Sequence, residues 1–404
     1  MQQITDISRE NRFLEGLSAR LTLVGLVLGV LGLGAAFGLA QGAEGGMHRL
    51  WWSYLVNWVF FLSISLGALG FVLIQHLAKA GWSVVLRRIA EGLAANTLIC
   101  GLLFVPLYFG LHDLYHWLDA EAVAHDHILQ HKAGYLNLDF FLVRVALYFI
   151  AWVGGSLFLL RTSIKQDRTG DYRLTQRMEK VSAPLMFVYA LTVTLAAFDL
   201  LMSLDPHWFS TIFGVYFFAG GFLAFFALLP GIVWWLQGRG RLERAITPEH
   251  FQDMGKFMFA FLVFWGYIAF SQFMLIWYGN LPEEIGWYLR REAGTWSDVA
   301  WLIVVGHFML PFVFLMSKHV KRRLPILVLA GLWLLAMHWI ELYWIVLPEM
   351  NHEAAEVPWS LFDLLCLVGI GGFYLAGWSR LIGKAALVPE KDPRLGESLS
   401  FENV

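Results

Sequence analysis

The chain has 404 residues, 58% hydrophobic and 15% charged, with 19 Trp, 33 Phe and a net charge of −2. Soluble domains average about 25% charged residues, so this balance points to a bilayer as solvent and offers no basic surface for nucleic acid. The cysteines, Cys100 and Cys366, lie in apolar stretches without C-x-x-C or C-x-x-C-H spacing, which excludes cysteine-ligated iron–sulfur clusters and c-type haem attachment.

In chain order, ten apolar stretches are predicted as membrane-spanning helices, at about 21–40, 51–78, 89–111, 138–160, 181–203, 209–236, 253–278, 298–317, 324–347 and 359–378. A hydrocarbon core about 30 Å thick takes roughly 20 residues of helix, and each stretch suffices. The expectation is an all-α integral membrane protein: a segment over 1–20, a ten-helix domain over 21–378 and a tail over 379–404. Most of the 29 Lys and Arg lie in segment 1–20, after spans 2, 4, 6 and 8, and in the tail. Outside the spans the exceptions are Arg49, Lys132, Arg290 and Arg291. Positive loops stay in the cytoplasm, so both termini are expected there. The first span follows a long leader containing acids, and reads as a retained anchor rather than a cleaved signal.

The longest outer loops are 112–137 and 279–297. The first carries His116, His125, His127 and His131 among Asp113, Asp119, Glu121 and Asp126. No zinc-site spacing organises them, so a solvated loop facing a partner protein is expected. The tail beyond 384, with Pro389, Lys391, Asp392, Pro393 and Gly396, is expected to be mobile or held by a partner.

Between spans 5 and 6 the chain reads Met202-Ser203-Leu204-Asp205-Pro206-His207-Trp208-Phe209-Ser210-Thr211, then Gly214-Val215-Tyr216-Phe217-Phe218. Asp205 is expected to cap span 6, with Pro206 at its first position and Trp208 in the interfacial belt. With the ten-span layout, this turn closely resembles the ActF-type membrane subunit of bacterial alternative complex III, within the wider NrfD and polysulfide-reductase membrane family. The resemblance covers essentially the whole chain. It implies two four-helix bundles, spans 2–5 and 6–9, flanked by spans 1 and 10, in the bacterial cytoplasmic membrane. It further implies a multisubunit respiratory complex that oxidises quinol and passes electrons to a cytochrome c or an oxidase. The implied partners are a related quinol-binding membrane subunit and cytochrome c-containing subunits. Haem and iron–sulfur centres would reside in those partners, and this chain would bind no cofactor or metal and would not be catalytic alone.

A charge inside a transmembrane helix costs about 2.5–3.5 kcal/mol, so each such residue predicts a partner or a task. At about 1.5 Å per residue, His307 of span 8 and His338 of span 9 both lie roughly 13 Å from the outer face, on consecutive antiparallel helices that can bring them together. Glu341 follows His338 by three residues, shares its face and lies about 9 Å deep. Arg144 reaches a comparable depth, and Asp199 and Asp363 lie about 6 Å deep. With Asp205 and His207, these form a candidate proton path toward the outer face, served by histidine's near-neutral titration. The inner half offers Glu91, Asp253 and Lys256, with His76. The competing reading makes Arg144 an ion-pair partner of Asp199 or Glu341, the histidines interhelical hydrogen-bonding groups, and the inner trio snorkelling side chains. Two facing histidines also suit a b-type haem, against which the resemblance speaks. Trp51, Trp52, Trp58, Met337 and Trp344 read as packing or lipid-facing residues rather than a quinone pocket.

The favoured function is a subunit of a quinol-oxidising complex, without redox centres of its own and contributing proton conduction. The alternatives are a stand-alone secondary transporter and a structural scaffold. Matched discontinuous helices would favour a transporter; the Gly-rich stretches at Gly25, Gly29, Gly32 and Gly34 and at Gly369, Gly371 and Gly372 form no such pair.

Overall fold

The structure, a computed structural model, describes residues 5–351 and 355–403. It is 79% helix, and among the described residues there are no strands. Ten helices are long and apolar enough to cross a membrane: α1 Gly16–Gly42, α2 Gly46–Leu77, α3 Val84–Tyr108, α4 Leu138–Thr169, α5 Tyr172–Leu204, α6 Phe213–Gln237, α7 Pro248–Gly279, α8 Thr295–Met316, α9 Leu324–Glu349 and α10 Leu361–Ile382. Each apolar stretch of the sequence coincides with one of them. The 32 residues of α4 extend about 48 Å, longer than a hydrocarbon core, and the surplus turns carry Arg161, Lys165 and Arg168.

Helix α2 is the axis of the molecule, buried along almost its whole length, and it packs against α3, α5, α6 and α10. Helix α6 is its neighbour and is similarly enclosed. The outer helices bury one face and leave apolar side chains such as Leu31, Ile150, Phe187, Phe270 and Val313 exposed, as a lipid-contacting rim requires.

Close approach explains the glycines. A Cβ on Gly32 would stand 2.7 Å from the Gly369 Cα, and one on Gly25 would stand 2.6 Å from the Gly372 carbonyl. Gly25, Gly29 and Gly32 with Gly369 and Gly372 therefore form the seam along which α1 and α10 pack, where small residues let backbones meet. Likewise Gly67 of α2 faces the Gly221 carbonyl of α6, with 2.3 Å left for a Cβ.

Besides the 3-10 turns that end α5 and α9, two helices depart from regular geometry in mid-span. Helix α3 breaks at Asn96, whose side-chain amide donates to the Tyr374 carbonyl at 2.7 Å. Helix α8 widens to a π-helix over Ile303–Met309, a form frequent at functional sites.

The terminal segments meet on one end of the bundle, where Phe13 bridges to Ala386 and Asn11 to Arg241. This end is the terminal face, and the opposite end the far face. The tail, expected from its composition to be mobile or held by a partner, instead packs against this chain's own helices. Leu387 and Val388 are fully buried, the Leu387 N–H donates to the Arg12 carbonyl at 2.7 Å, and Asp392 pairs with buried Arg87. Ser398 Oγ donates to the Trp82 carbonyl at 2.6 Å, and Asn403 Nδ2 to that of Glu249 at 3.0 Å. On the far face, the acids of loop 112–137 mostly start short helices. Asp119 accepts from the Glu121 N–H, and Asp126 from those of Ile128 and Leu129.

Candidate functional site

The central cluster is built from five helices. His338 and Glu341, one turn apart on α9, point inward and are both 2% exposed. Glu341 Oε1 accepts from Trp265 Nε1 of α7 at 2.6 Å, and Oε2 lies 3.0 Å from His338 Nδ1. His338 Nε2 lies 3.0 Å from Ser63 Oγ of α2. Gly220 of α6 makes that approach possible, because a Cβ there would stand 3.0 Å from His338 Cε1. His307, fully buried in the π-helical turn of α8, stacks on Trp265 with ring centres 4.0 Å apart. Its Nδ1 is 3.6 Å from Glu341 Oε2, and among the described residues neither ring nitrogen has a hydrogen-bond partner. Beside the cluster is a cavity of about 10 Å³ lined by Tyr216, Gly220, His338 and Glu341, the space of roughly one water.

Proton counting shows what this geometry permits. Ser63 has one hydroxyl hydrogen and lies 2.8 Å from the Phe60 carbonyl. If that hydrogen goes to Phe60, His338 Nε2 must donate to Ser63. The Nδ1 contact then holds either an imidazolium against a carboxylate or a neutral ring accepting from a carboxylic acid. If the hydroxyl donates to His338 instead, Nδ1–H donates to a carboxylate. All three states use the same heavy-atom positions, so a proton moves between residues without a rotamer change. Among the described residues no Lys or Arg pairs with Glu341. Both His338 nitrogens are engaged, and the adjoining cavity is water-sized.

The other candidate residues stand apart from this cluster. Asp199 accepts from Arg144 Nε at 2.8 Å and Nη2 at 3.0 Å, and from the Tyr148 hydroxyl at 2.6 Å. Arg144 thus serves Asp199 and not Glu341. Asp363 is clasped by Arg49 at 2.8 Å and accepts from Ser53 at 2.7 Å. At the terminal face Glu91 lies between Arg88 at 3.0 Å and Arg87 at 3.5 Å, all three buried, so it does not snorkel. Asp253 pairs with Lys256, which also donates to Asn403 at 2.6 Å. Among the described residues no direct hydrogen bond joins Glu341 to Asp199, Asp205 or Asp363.

The turn after α5 differs from the expected helix cap. Helix α6 begins only at Phe213 and has no side-chain cap. Asp205 instead accepts from the His207 N–H at 3.0 Å and pairs with Arg290. Pro206 precedes the helix by a loop, and its carbonyl accepts from Lys132 Nζ at 2.6 Å. Trp208 is not an interfacial anchor; it is buried and stacks on Trp287, with ring centres 4.5 Å apart. His207 Nε2 reaches Asp126 at 2.5 Å; this contact and the backbone donors of Leu129 and Ile128 hold the Asp126 carboxyl below its ordinary range. Arg291, fully buried, donates to Glu349 at 2.8 Å and lies over the Trp287 ring at 3.4 Å. Burial brings its guanidinium down to about 10.

Sequence reasoning missed Ser63, Trp265, Tyr148 and Glu349. Only Glu349 left a signal, as an acid following the apolar run of α9 near a face that carries few cations. The fold and cluster define a helical, multi-pass type of membrane protein with a buried His–Glu–His group. No family model matches this chain, and a comparison with curated proteins finds no match.

Proposed function

We propose that this chain is an integral subunit of a quinol:electron-acceptor oxidoreductase complex of the bacterial cytoplasmic membrane, and that its own task is proton conduction through α6–α9. The complex, its quinol-binding and cytochrome c-containing partners, and their cofactors rest on the resemblance of the Met202–Thr211 turn and the ten-span layout to the ActF-type subunit. The two-bundle reading is supported by contacts that close α2–α5 and α6–α9 into rings, joined through α2 and α6, with α1 and α10 together outside. Lys and Arg concentrate at the terminal face, which supports its cytoplasmic placement.

The observation that carries proton conduction is Glu341 itself. It is a buried carboxyl whose basic neighbours within 4.0 Å, among the described residues, are two histidines, one of them without a hydrogen-bond partner there. A carboxyl–imidazole hydrogen bond can carry its proton on either partner, which is what a proton relay through a membrane asks of its side chains. The test is Glu341→Gln in the reconstituted complex, which keeps shape and hydrogen bonding but removes titration. Electron transfer should persist while the proton-to-electron ratio drops. An unchanged ratio rejects the assignment, and lost assembly with lost electron transfer indicates a scaffold.

A further inference from the structure

The terminal face carries a second cavity, far larger than the central one. It measures about 290 Å³ and opens between the end of α2 and the start of α5, lined by His76, Leu77, Lys79, Gln176, Glu179 and Lys180. Two lysines line it against one acid, and Arg394 reaches that acid from outside the lining. Lys79 and Arg394 both approach Glu179, but only at 3.9 and 3.7 Å, and Lys79 remains 59% exposed at its side chain. Lys180 is exposed, and among the described residues no ion pair holds it. The cavity wall also contains His76, 2% exposed, whose Nε2 has no hydrogen-bond partner among the described residues. A neutral imidazole carries one N–H donor and Gln176 an amide donor, so the lining supplies neutral donors as well as charge.

What continues from the cavity defines the ligand further. Gln176, Lys180, Pro184, Phe187 and Leu191 recur every three or four residues and so share one face of α5. Past Lys180 that face is apolar and open, with Phe187 68% and Leu191 50% exposed. A polar, cationic recess thus leads into an apolar track running toward the middle of the bilayer. A free anion has no use for the track, and an uncharged lipid has none for the lysines.

We propose that this recess is a binding site for an anionic phospholipid, with the phosphate between Lys79 and Lys180 and one acyl chain along Phe187 and Leu191. The site is separate from the His–Glu–His cluster, and its test does not depend on assembly with partners or on the proton reading. The detergent-solubilised full chain is titrated with phosphatidylglycerol or phosphatidylcholine, and retained lipid is counted by native mass spectrometry. Phosphatidylglycerol should be held selectively. Lys79→Gln with Lys180→Gln should weaken it roughly 30-fold, since each lysine at an anionic lipid surface contributes about fivefold. Lys165→Gln with Lys318→Gln, exposed positions elsewhere, should leave retention unchanged. Equal retention of both lipids, an unaffected Lys79/Lys180 variant, or an equal loss in the Lys165/Lys318 control overturns the proposal. Displacement of phosphatidylglycerol by millimolar inorganic phosphate overturns it too, by showing a site for the free anion.

Discussion

Asp199 and Glu341 are both buried carboxylates, on α5 and α9, and their surroundings are opposite in kind. Asp199 faces a permanent cation in bidentate geometry and a tyrosine hydroxyl, while Arg144 is itself held by the Tyr135 carbonyl and lies over the Tyr135 ring. Its charge is compensated whatever happens nearby. Glu341 is matched by a neutral indole N–H and two imidazoles, and an imidazole is neutral or charged according to a single proton. A bidentate arginine fixes a carboxylate in its ionised form, whereas histidine lets the charge appear and disappear. Burial alone therefore does not mark a proton-carrying acid; the identity of its partner does.

The sharpest way to break this comparison is to remove the arginine. Arg144→Leu leaves Asp199 buried and unpaired, and should destabilise the protein by about 3–5 kcal/mol, the usual result of orphaning one member of a buried pair. Thermal unfolding in detergent reads this. Arg144→Leu with Asp199→Leu should recover much of the loss. A single variant as stable as the parent would mean that Asp199 is already neutral, and the contrast with Glu341 would fail.

Trp265→Phe comes next, because it withdraws the N–H that Glu341 Oε1 accepts while keeping an aromatic surface under His307. Hydrogen bonds to charged groups contribute about 1.5–3 kcal/mol, and a loss in that range is expected if the carboxylate form predominates. A loss below 0.5 kcal/mol, roughly the spread of ordinary surface substitutions, would indicate that Glu341 is held as the acid. Glu341→Gln should be milder still, because the amide oxygen can keep the Trp265 bond, while the proton-to-electron ratio falls as proposed.

The contrast between these sites was only partly legible in the sequence. Ten apolar runs are a local signal, and all ten became helices; the charged extra turns of α4 are invisible to an apolarity count. His338 and Glu341 were paired by helical spacing alone, and the depth of His307 placed it opposite them. Trp265 and Ser63 were not legible, since nothing in a chain with 16% aromatics fixes how α7 and α2 rotate toward α9. Arg144 was read as a partner of either acid, and only packing distinguishes them. Asp205 was misread for a related reason. A short-range cap rule describes Asp-Pro well, but the contacts that shape the turn come from Arg290, 85 residues away in sequence, and from Lys132, 74 away.

The smallest effect is expected at a third kind of carboxylate, the half-buried Asp126. His207, with its side chain 45% exposed, and two backbone N–H groups favour its ionised form, and its carboxyl titrates below the ordinary value of 3.8. A depressed acid adds stability that is fully present above the unfolded value and disappears as pH falls through the folded one. The contact between 126–132 and 205–208 should therefore persist unchanged from neutral pH to about 5 and loosen only below about 4, the range of an ordinary Asp. Hydrogen exchange of these segments, corrected for intrinsic rates, measures this, with Asp126→Asn as the control for other acids titrating in the same window. The variant should exchange faster than the parent at pH 7 and lack the acid step. Loosening of the parent between pH 5 and 7 would instead assign the latch to His207, and the far-face turn would join Glu341 among the sites governed by an imidazole.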